Sequence, residues 1–237
     1  MLVIQMLAFI LCQSTFPLTV ISKLTLIYSF WSIQNSFVFL FNFLCLFAIH
    51  GQSSIRAGFK VEDDKCLCEF DSSKITTENL VNKLDNIKVV FLDKNLEDKV
   101  IDYDQKITNY KREKLLKAVF KEPDSIAMVA MDTDDNQVVG FGCFRKNNLD
   151  KAMAGPIYAN NDAVAEFLVY NLIQNFSLVH EKGLNMMLPD CNAGSMRMAL
   201  KLGLEKHGQF PRFFTKAIPK VDFDRVYCVH TPNFSPY

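Results

Sequence analysis

The first 55 residues carry a single formal charge, Lys23, whereas the remaining 182 residues carry 51 charges with a net charge of −1. A segment as apolar as the first cannot be a solvated tail or a disordered linker. The charge-balanced remainder argues against a nucleic-acid-binding protein, because neutralising phosphates requires a basic stripe. The remainder is long enough to bury the core of one domain, with a fragment of another.

The apolar segment contains an uncharged stretch, residues 27–49, that is long enough to cross a hydrocarbon layer of roughly 30 Å. Three interpretations stay open: a membrane span or hairpin through residues 24–49, a cleaved signal peptide with residues 37–49 as its apolar core, or a wrongly joined coding segment. We expect the protein to be membrane-associated if residues 1–52 are genuine, and cytoplasmic otherwise.

Seven cysteines are scattered along the chain, and only Cys66 and Cys68 lie close together. One C-x-C pair without a second ligand pair is not a zinc site, and the four histidines show no metal-ligand or catalytic-triad spacing. The pattern indicates reduced thiols in a reducing compartment and no metal centre.

Apolar periodicity and turn residues predict the elements that follow the apolar segment. Residues 58–70 are expected to form a hairpin with its turn at residues 62–64. The predicted helices cover residues 76–84, 109–121, 163–181 and 193–202. The predicted strands cover residues 87–92, 125–132, 137–145, 151–159, 184–188, 212–218 and 225–229. This order predicts an α+β fold with one strand–helix–strand crossover.

The order of elements and several short motifs resemble the GNAT superfamily of acyl-coenzyme A-dependent N-acetyltransferases. The motifs lie at residues 138–142, 192–204 and 212–215. Further matches at residues 102–104, 112, 145, 155–160 and 222–227 make the chain most similar to the second domain of YitH/HolE-like tandem acetyltransferase proteins. The resemblance covers about residues 87–230. It implies a mixed, mostly antiparallel, twisted sheet with flanking helices, preceded here by the hydrophobic segment.

The same resemblance divides the chain into three parts. Residues 87–237 form the GNAT-like domain, and residues 53–86 look like the end of a preceding GNAT-like domain. Residues 1–52 stand where the core of that preceding domain would be, either as a membrane span or as an anomalous replacement.

Superfamily members bind the acetyl-coenzyme A pyrophosphate at the N-terminus of the helix that follows the third meander strand, where free backbone N–H groups favour an anion. The resemblance places acetyl-coenzyme A against Ile157, Tyr158, Asn160, Asn161, Ala163 and Asn192, with the pantetheine arm in a splayed gap between two strands. The usual glycine-rich phosphate loop is missing, and Asp162 brings a negative charge to that position. The cofactor is therefore expected to bind weakly or not at all.

The catalytic residues are not evident from the sequence. Ala199 stands at the position where many relatives carry a tyrosine acid, and the carboxylates considered as bases are Asp102, Asp104, Glu166 and Asp190. Cys191 is a weak candidate nucleophile, since no histidine is placed to activate it. Two functions stay open: N-acyl transfer from acyl-coenzyme A to an unknown amine, or a non-catalytic binding or scaffold domain that is membrane-tethered if the apolar segment is genuine.

Overall fold

The computed structural model describes residues 58–230, which form one eight-stranded sheet with helices packed on it. The strands are β1 Val61–Ser72, β2 Ile87–Phe91, β3 Ser125–Asp132, β4 Val138–Lys146, β5 Ala152–Ala159, β6 Leu184–Pro189, β7 Glu205–Phe214 and β8 Val226–Cys228. The helices are α1 Lys94–Thr108, α2 Glu113–Phe120, α3 Asp162–Gln174, α4 Leu178–Lys182 and α5 Ala193–Lys201. A 3-10 turn, Phe223–Arg225, precedes β8.

The strand order is β2-β3-β4-β5-β6-β1-β7, and β8 pairs with β5 outside this path. Every pair is antiparallel except β5 and β6, which run parallel and match at only two residue pairs, Ala152 with Leu184 and Met153 with Asn185. Beyond Met153 the two strands separate. The sheet is therefore split at its centre, toward the C-terminal ends of β5 and β6.

Two hydrophobic cores cover the two faces of the sheet. Alternating residues of β1 enter different cores, because successive side chains of a strand point to opposite faces: Cys68 and Phe70 join the core under α3, and Leu67 joins the core under α1 and α2. Helix α3 follows β5 directly, so its N-terminus lies beside the split. This arrangement matches the mixed, mostly antiparallel fold that the family resemblance implies.

The hairpin expected over residues 58–70 is wrong, because residues 61–70 lie in one continuous twelve-residue strand, β1. The acidic run at residues 62–64 lies within that strand, at a register shift between Glu62 and Cys66. Asp63 is buried there and forms an ion pair with the buried Arg212 of β7, at 2.8 Å. A carboxylate with a buried cationic partner need not face solvent, and sequence alone does not show that partner.

The helix expected over residues 76–84 is also absent, since these residues form a turn at 78–79 and irregular backbone on either side of it. In contrast, α1 was not predicted. Its sequence is highly charged, but Val100, Tyr103 and Ile107 recur at helical spacing and are buried, and Asp93 caps its first turn by accepting hydrogen bonds from the N–H groups of residues 95 and 96. Asn109, expected to start a helix, ends α1 in a left-handed conformation with φ 55°.

The remaining predicted elements are present, and they differ from the observed ones mainly in where they begin and end. Strand β3 has the predicted bounds, Ser125–Asp132, and the other meander strands agree to within one residue. The predicted long helix over residues 163–181 is divided into α3 and α4. Strand β7 begins at Glu205, seven residues before the predicted start at Arg212, and ends at Phe214.

The membrane segment expected at residues 24–49 lies outside the described residues. Within residues 58–230, no helix is both long and apolar enough to cross a membrane.

The central position of β1 gives a test of the fold. Phe70 is almost fully buried, and Phe91 on the edge strand β2 is 56% exposed. We expect Phe70→Ala to lower the free energy of unfolding by about 3–5 kcal/mol and Phe91→Ala to lower it by less than about 1 kcal/mol, both measured by urea denaturation of the full chain. Equal losses for the two variants would mean that β1 does not pack in the sheet.

Candidate functional site

The split between β5 and β6 is the candidate functional site, and the last residues that the structure describes fill it. We call residues 222–230 the C-terminal strap. Within it, Cys228 pairs with Ile157 of β5, and Val226 pairs with Tyr158. On the other side, the backbone N–H of Val229 donates to the carbonyl oxygen of Met187 in β6, at 2.9 Å. The strap therefore bridges the two separated strands through backbone hydrogen bonds.

Asn192 fixes the start of the strap. Its side-chain oxygen accepts from the N–H of Ser195 and caps α5, at 3.0 Å. The two N–H bonds of its side-chain amide are shared among the carbonyl oxygens of Phe223, Asp224 and Val226, at 2.9, 3.2 and 2.9 Å. Asn192 is buried, so its amide is committed at both ends to the protein's own backbone.

The N-terminus of α3 is engaged by the strap as well. Asn161 caps the helix through the N–H of Val164, at 3.0 Å. The neighbouring carboxylate of Asp162 accepts from the Tyr227 hydroxyl at 2.7 Å and pairs with Arg197 at 2.5 Å. The Tyr227 hydrogen bond, supported by Arg197, lowers the pKa of Asp162, so this carboxylate is ionised. A negative charge belonging to the chain thus occupies the position that favours an anion.

Asn160 links β5 to the strap. Its side-chain oxygen accepts from the Arg225 guanidinium at 2.6 Å and from the Tyr103 hydroxyl at 3.0 Å. The guanidinium of Arg225 also lies over the Tyr103 ring, 4.8 Å from its centroid. Burial raises the pKa of Tyr103 to about 12, so the hydroxyl stays protonated and acts as a donor.

Arg145 of β4 holds the far end of the strap. Its guanidinium donates to the carbonyl oxygens of Gly155 at 3.1 Å and His230 at 2.7 Å, and lies 2.6 Å from Nδ1 of His230. Burial, together with the nearby charge of Arg145, lowers the pKa of His230 to about 3. The imidazole is therefore neutral near pH 7, and its Nδ1 accepts from the guanidinium.

Gly155 allows the strap to come this close. A Cβ atom at residue 155 would collide with the carbonyl oxygen of Val229, and the backbone of Gly155 has φ 120°, which other residues rarely adopt. The glycine in the motif at residues 155–160 thus gives room to the protein's own backbone.

The residues expected to bind the cofactor do lie around one split, but the strap uses their polar groups. Ile157 and Tyr158 are buried and paired with β8, while Asn160 and Asn192 bind the strap through their side chains. Asn161 and Ala163 remain at the N-terminus of α3, at the exposed side. With the strap in place, these residues do not fit acetyl-coenzyme A.

The four carboxylates considered as bases do not converge on the split. Asp102 is exposed on α1, and Asp104 is buried and paired with Arg112, which also donates to the Tyr158 hydroxyl at 2.7 Å. Glu166 accepts from Lys201 and from the N–H of Val81. Asp190 accepts from the N–H of Cys66. Each carboxylate is exposed or has a structural partner, so none is placed as a general base.

The other two candidates fit no catalytic role. Cys191 is exposed, but desolvation of its sulfur and the nearby charge of Asp190 raise its pKa, which keeps it as a thiol rather than a thiolate nucleophile. Ala199 is fully buried in the core and offers no proton.

Sequence reasoning missed the residues that hold the strap, namely Arg145, Tyr227 and His230. The family motifs include Arg145 and Tyr227, but nothing in their spacing shows that Arg145 meets His230, 85 positions away, or that Tyr227 meets Asp162, 65 positions away.

Solved structures of other proteins share this fold. A putative acetyltransferase from Pyrococcus horikoshii matches with a TM-score of 0.54 and 16% identity, covering 78% of this chain and 57% of that chain. A Drosophila protein matches with a TM-score of 0.53 and 11% identity, covering 72% of this chain and 58% of that chain. The chain thus spans less than two thirds of either structure, and at these identities the likeness shows the fold alone.

No curated protein matches the sequence. A family model described as an acetyltransferase (GNAT) domain matches residues 100–228, which is more than half of the chain. The matched range contains the meander β3–β5, helix α3, the split and the strap through Cys228. With the fold and the sequence in agreement, the chain belongs to the GNAT acetyltransferase family.

Proposed function

We propose that this chain is an acetyltransferase-like domain that does not transfer acyl groups in its central split and serves as a binding or scaffold domain. The observation that carries the proposal is the strap, which pairs with β5 and β6 where the resemblance would put the pantetheine arm. A ligand arm there would have to replace backbone hydrogen bonds on both sides and the contacts that the two side-chain N–H bonds of Asn192 make with three carbonyl oxygens.

The charge at α3 supports the same proposal. Family members generally bind acetyl-coenzyme A, whose pyrophosphate is strongly negative. In this chain Asp162 already neutralises the helix N-terminus, and a pyrophosphate would meet an ionised carboxylate. The residues that would donate and accept protons in acyl transfer are also not assembled at the split.

Acyl-coenzyme A-dependent N-acyl transfer to an amine is the second candidate, and family membership favours it. It requires the strap to leave the split. The two candidates differ in one measurable property, which is the affinity of the intact chain for acetyl-coenzyme A.

We also propose that residues 53–86 are the end of a preceding GNAT-like unit, and that the family domain is the second half of a tandem protein. Two observations support this. The family match begins at residue 100, yet β1, at Val61–Ser72, lies between β6 and β7 of the same sheet. A strand from outside the matched range thus completes the domain, as expected for a strand contributed by a neighbouring unit.

Titration of the full chain with acetyl-coenzyme A tests the proposed function. We expect no saturable heat up to about 1 mM ligand and no release of free coenzyme A with a panel of amines. A strap variant, Tyr227→Phe with Arg225→Ala, serves as the comparison, with its fold checked by circular dichroism. Saturable one-to-one binding to the unmodified chain would refute the proposal. Binding to the strap variant alone would show that the strap is what closes the site.

The role of Asn192 gives a second prediction. Asn192→Asp keeps an oxygen to cap α5 but removes the N–H donors and sets a carboxylate against three carbonyl oxygens. We expect this change to lower the free energy of unfolding by about 2–3 kcal/mol, measured by urea denaturation. The same substitution at the α3 cap, Asn161→Asp, keeps its cap and should change the free energy by less than about 0.5 kcal/mol. If Asn192→Asp left the free energy of unfolding unchanged, the strap would not be held by this side chain.

The neutral His230 gives a pH prediction. Its pKa is about 3 in the folded chain and about 6.5 when unfolded. Between these values the unfolded state binds the extra proton, so stability from the neutral imidazole is complete above about pH 6.5 and is lost as the pH falls toward 3. His230→Gln, which keeps a neutral acceptor, should flatten the decline of the unfolding free energy between about pH 6.5 and 4.5. If the unfolding free energies of the two proteins fell in parallel as the pH is lowered, His230 would not be buried and neutral.

A further inference from the structure

A second surface, separate from the split, has the composition of a docking site. It consists of the exposed C-terminal end of α1, the start of α2 and the loop at residues 215–221, and we call it the basic patch. The loop is fixed against α1, because the Asn109 side chain donates to the carbonyl oxygen of Lys220 at 3.0 Å and the N–H of Asp222 donates to the carbonyl oxygen of Ile107 at 2.9 Å. The two segments therefore form one continuous surface.

Lysines dominate this patch. Five are exposed: Lys106, Lys111, Lys114, Lys216 and Lys220. Of these five lysines, only Lys111 has a carboxylate partner within the described part of the chain: Glu113, at 3.3 Å, which also binds Lys117 at 2.8 Å. The acidic Asp222 at its margin faces Arg225. The patch thus presents several positive charges that the described part of the chain does not neutralise.

Two large apolar side chains stand among these lysines. Tyr110 is 64% exposed and Ile218 is 40% exposed. The other strongly exposed apolar residues, Phe91, Leu149 and Leu200, lie on separate elements. An exposed tyrosine and an exposed aliphatic side chain next to charged residues are typical of protein–protein contacts. In such contacts the apolar groups supply buried area, and the charges set the orientation of the partner.

We infer that the basic patch binds an acidic polypeptide segment that carries apolar residues. Charge complementarity selects the acidic partner. A nucleic acid is disfavoured, because residues 56–237 carry 25 basic and 26 acidic side chains and therefore offer an extended polyanion no net attraction beyond the patch. An anionic membrane is disfavoured for the same reason, and because two apolar side chains bury little area in a lipid surface.

This inference names the partner class for the proposed binding role and rests on that role, but it uses other residues. Its failure would leave the acetyl-coenzyme A titration unchanged, and binding of acetyl-coenzyme A in the split would leave the patch residues of α1 and α2 in place. The two proposals can therefore fail separately.

The test is fluorescence anisotropy of the full chain with a labelled peptide of glutamates and two leucines. Lys114→Glu with Lys220→Glu reverses two charges of the patch. The control, Lys74→Glu with Lys182→Glu, reverses two exposed charges outside the patch, one just after β1 and one at the end of α4. We expect the patch variant to weaken binding by about tenfold or more and the control to bind like the unmodified chain.

A second pair of measurements separates a docking site from diffuse attraction. Tyr110→Ala with Ile218→Ala removes no charge, and we expect it to weaken peptide binding at salt concentrations that screen the lysines. Equal binding by the patch variant, an equal loss in the control, or an unaffected apolar variant would each overturn the proposal. So would tighter binding, through the same lysines, of single-stranded RNA or of phosphatidylserine vesicles.

Discussion

The divergence of β5 from β6 is the constraint on which the rest of this structure depends. Two parallel strands that separate after two residue pairs leave backbone N–H and C=O groups without partners in the middle of a sheet. Such groups are costly when buried, so something must bind them. In this chain the C-terminal strap does so, pairing with Ile157 and Tyr158 on one side and with Met187 on the other. The strap is therefore part of the core of the sheet.

Closure of the split explains several polar residues that would otherwise look like a ligand site. Asn192, Asn160 and Asp162 are arranged around the split as binding residues would be, yet each binds a group of the strap. Asp162 supplies the negative charge that the N-terminus of α3 favours, and Tyr227 and Arg197 hold it there. The same geometry that would receive a cofactor is thus satisfied by side chains of the domain itself.

Local pattern predicts most of the strands and helices of this fold, whereas the contents of the split depend on contacts that sequence does not display. The alternation and turns around Ser125–Asp132 are local, and that strand was predicted with its observed bounds. The acidic run in β1 predicts a turn, because the partner of Asp63, Arg212, lies far along the chain and is not visible in the local sequence. The cap at Asn192 is visible in sequence, but its three bonds to the strap are not. Candidate site residues could therefore be located, while their occupation by the strap could not.

Strand β1 and the strap have a related role at different places in the sheet. Strand β1 lies between β6 and β7, and the strap lies between β5 and β6, so β6 is bordered on both sides by segments from the two ends of the described chain. Strand β5 of the meander pairs with β6 only at Leu184 and Asn185, whereas Met187 of β6 binds the strap. Because β6 carries buried residues such as Met186 and Leu188 into the core, the packing of that core depends on both segments at once. Loss of either would expose backbone of β6, which couples the beginning of the domain to its end.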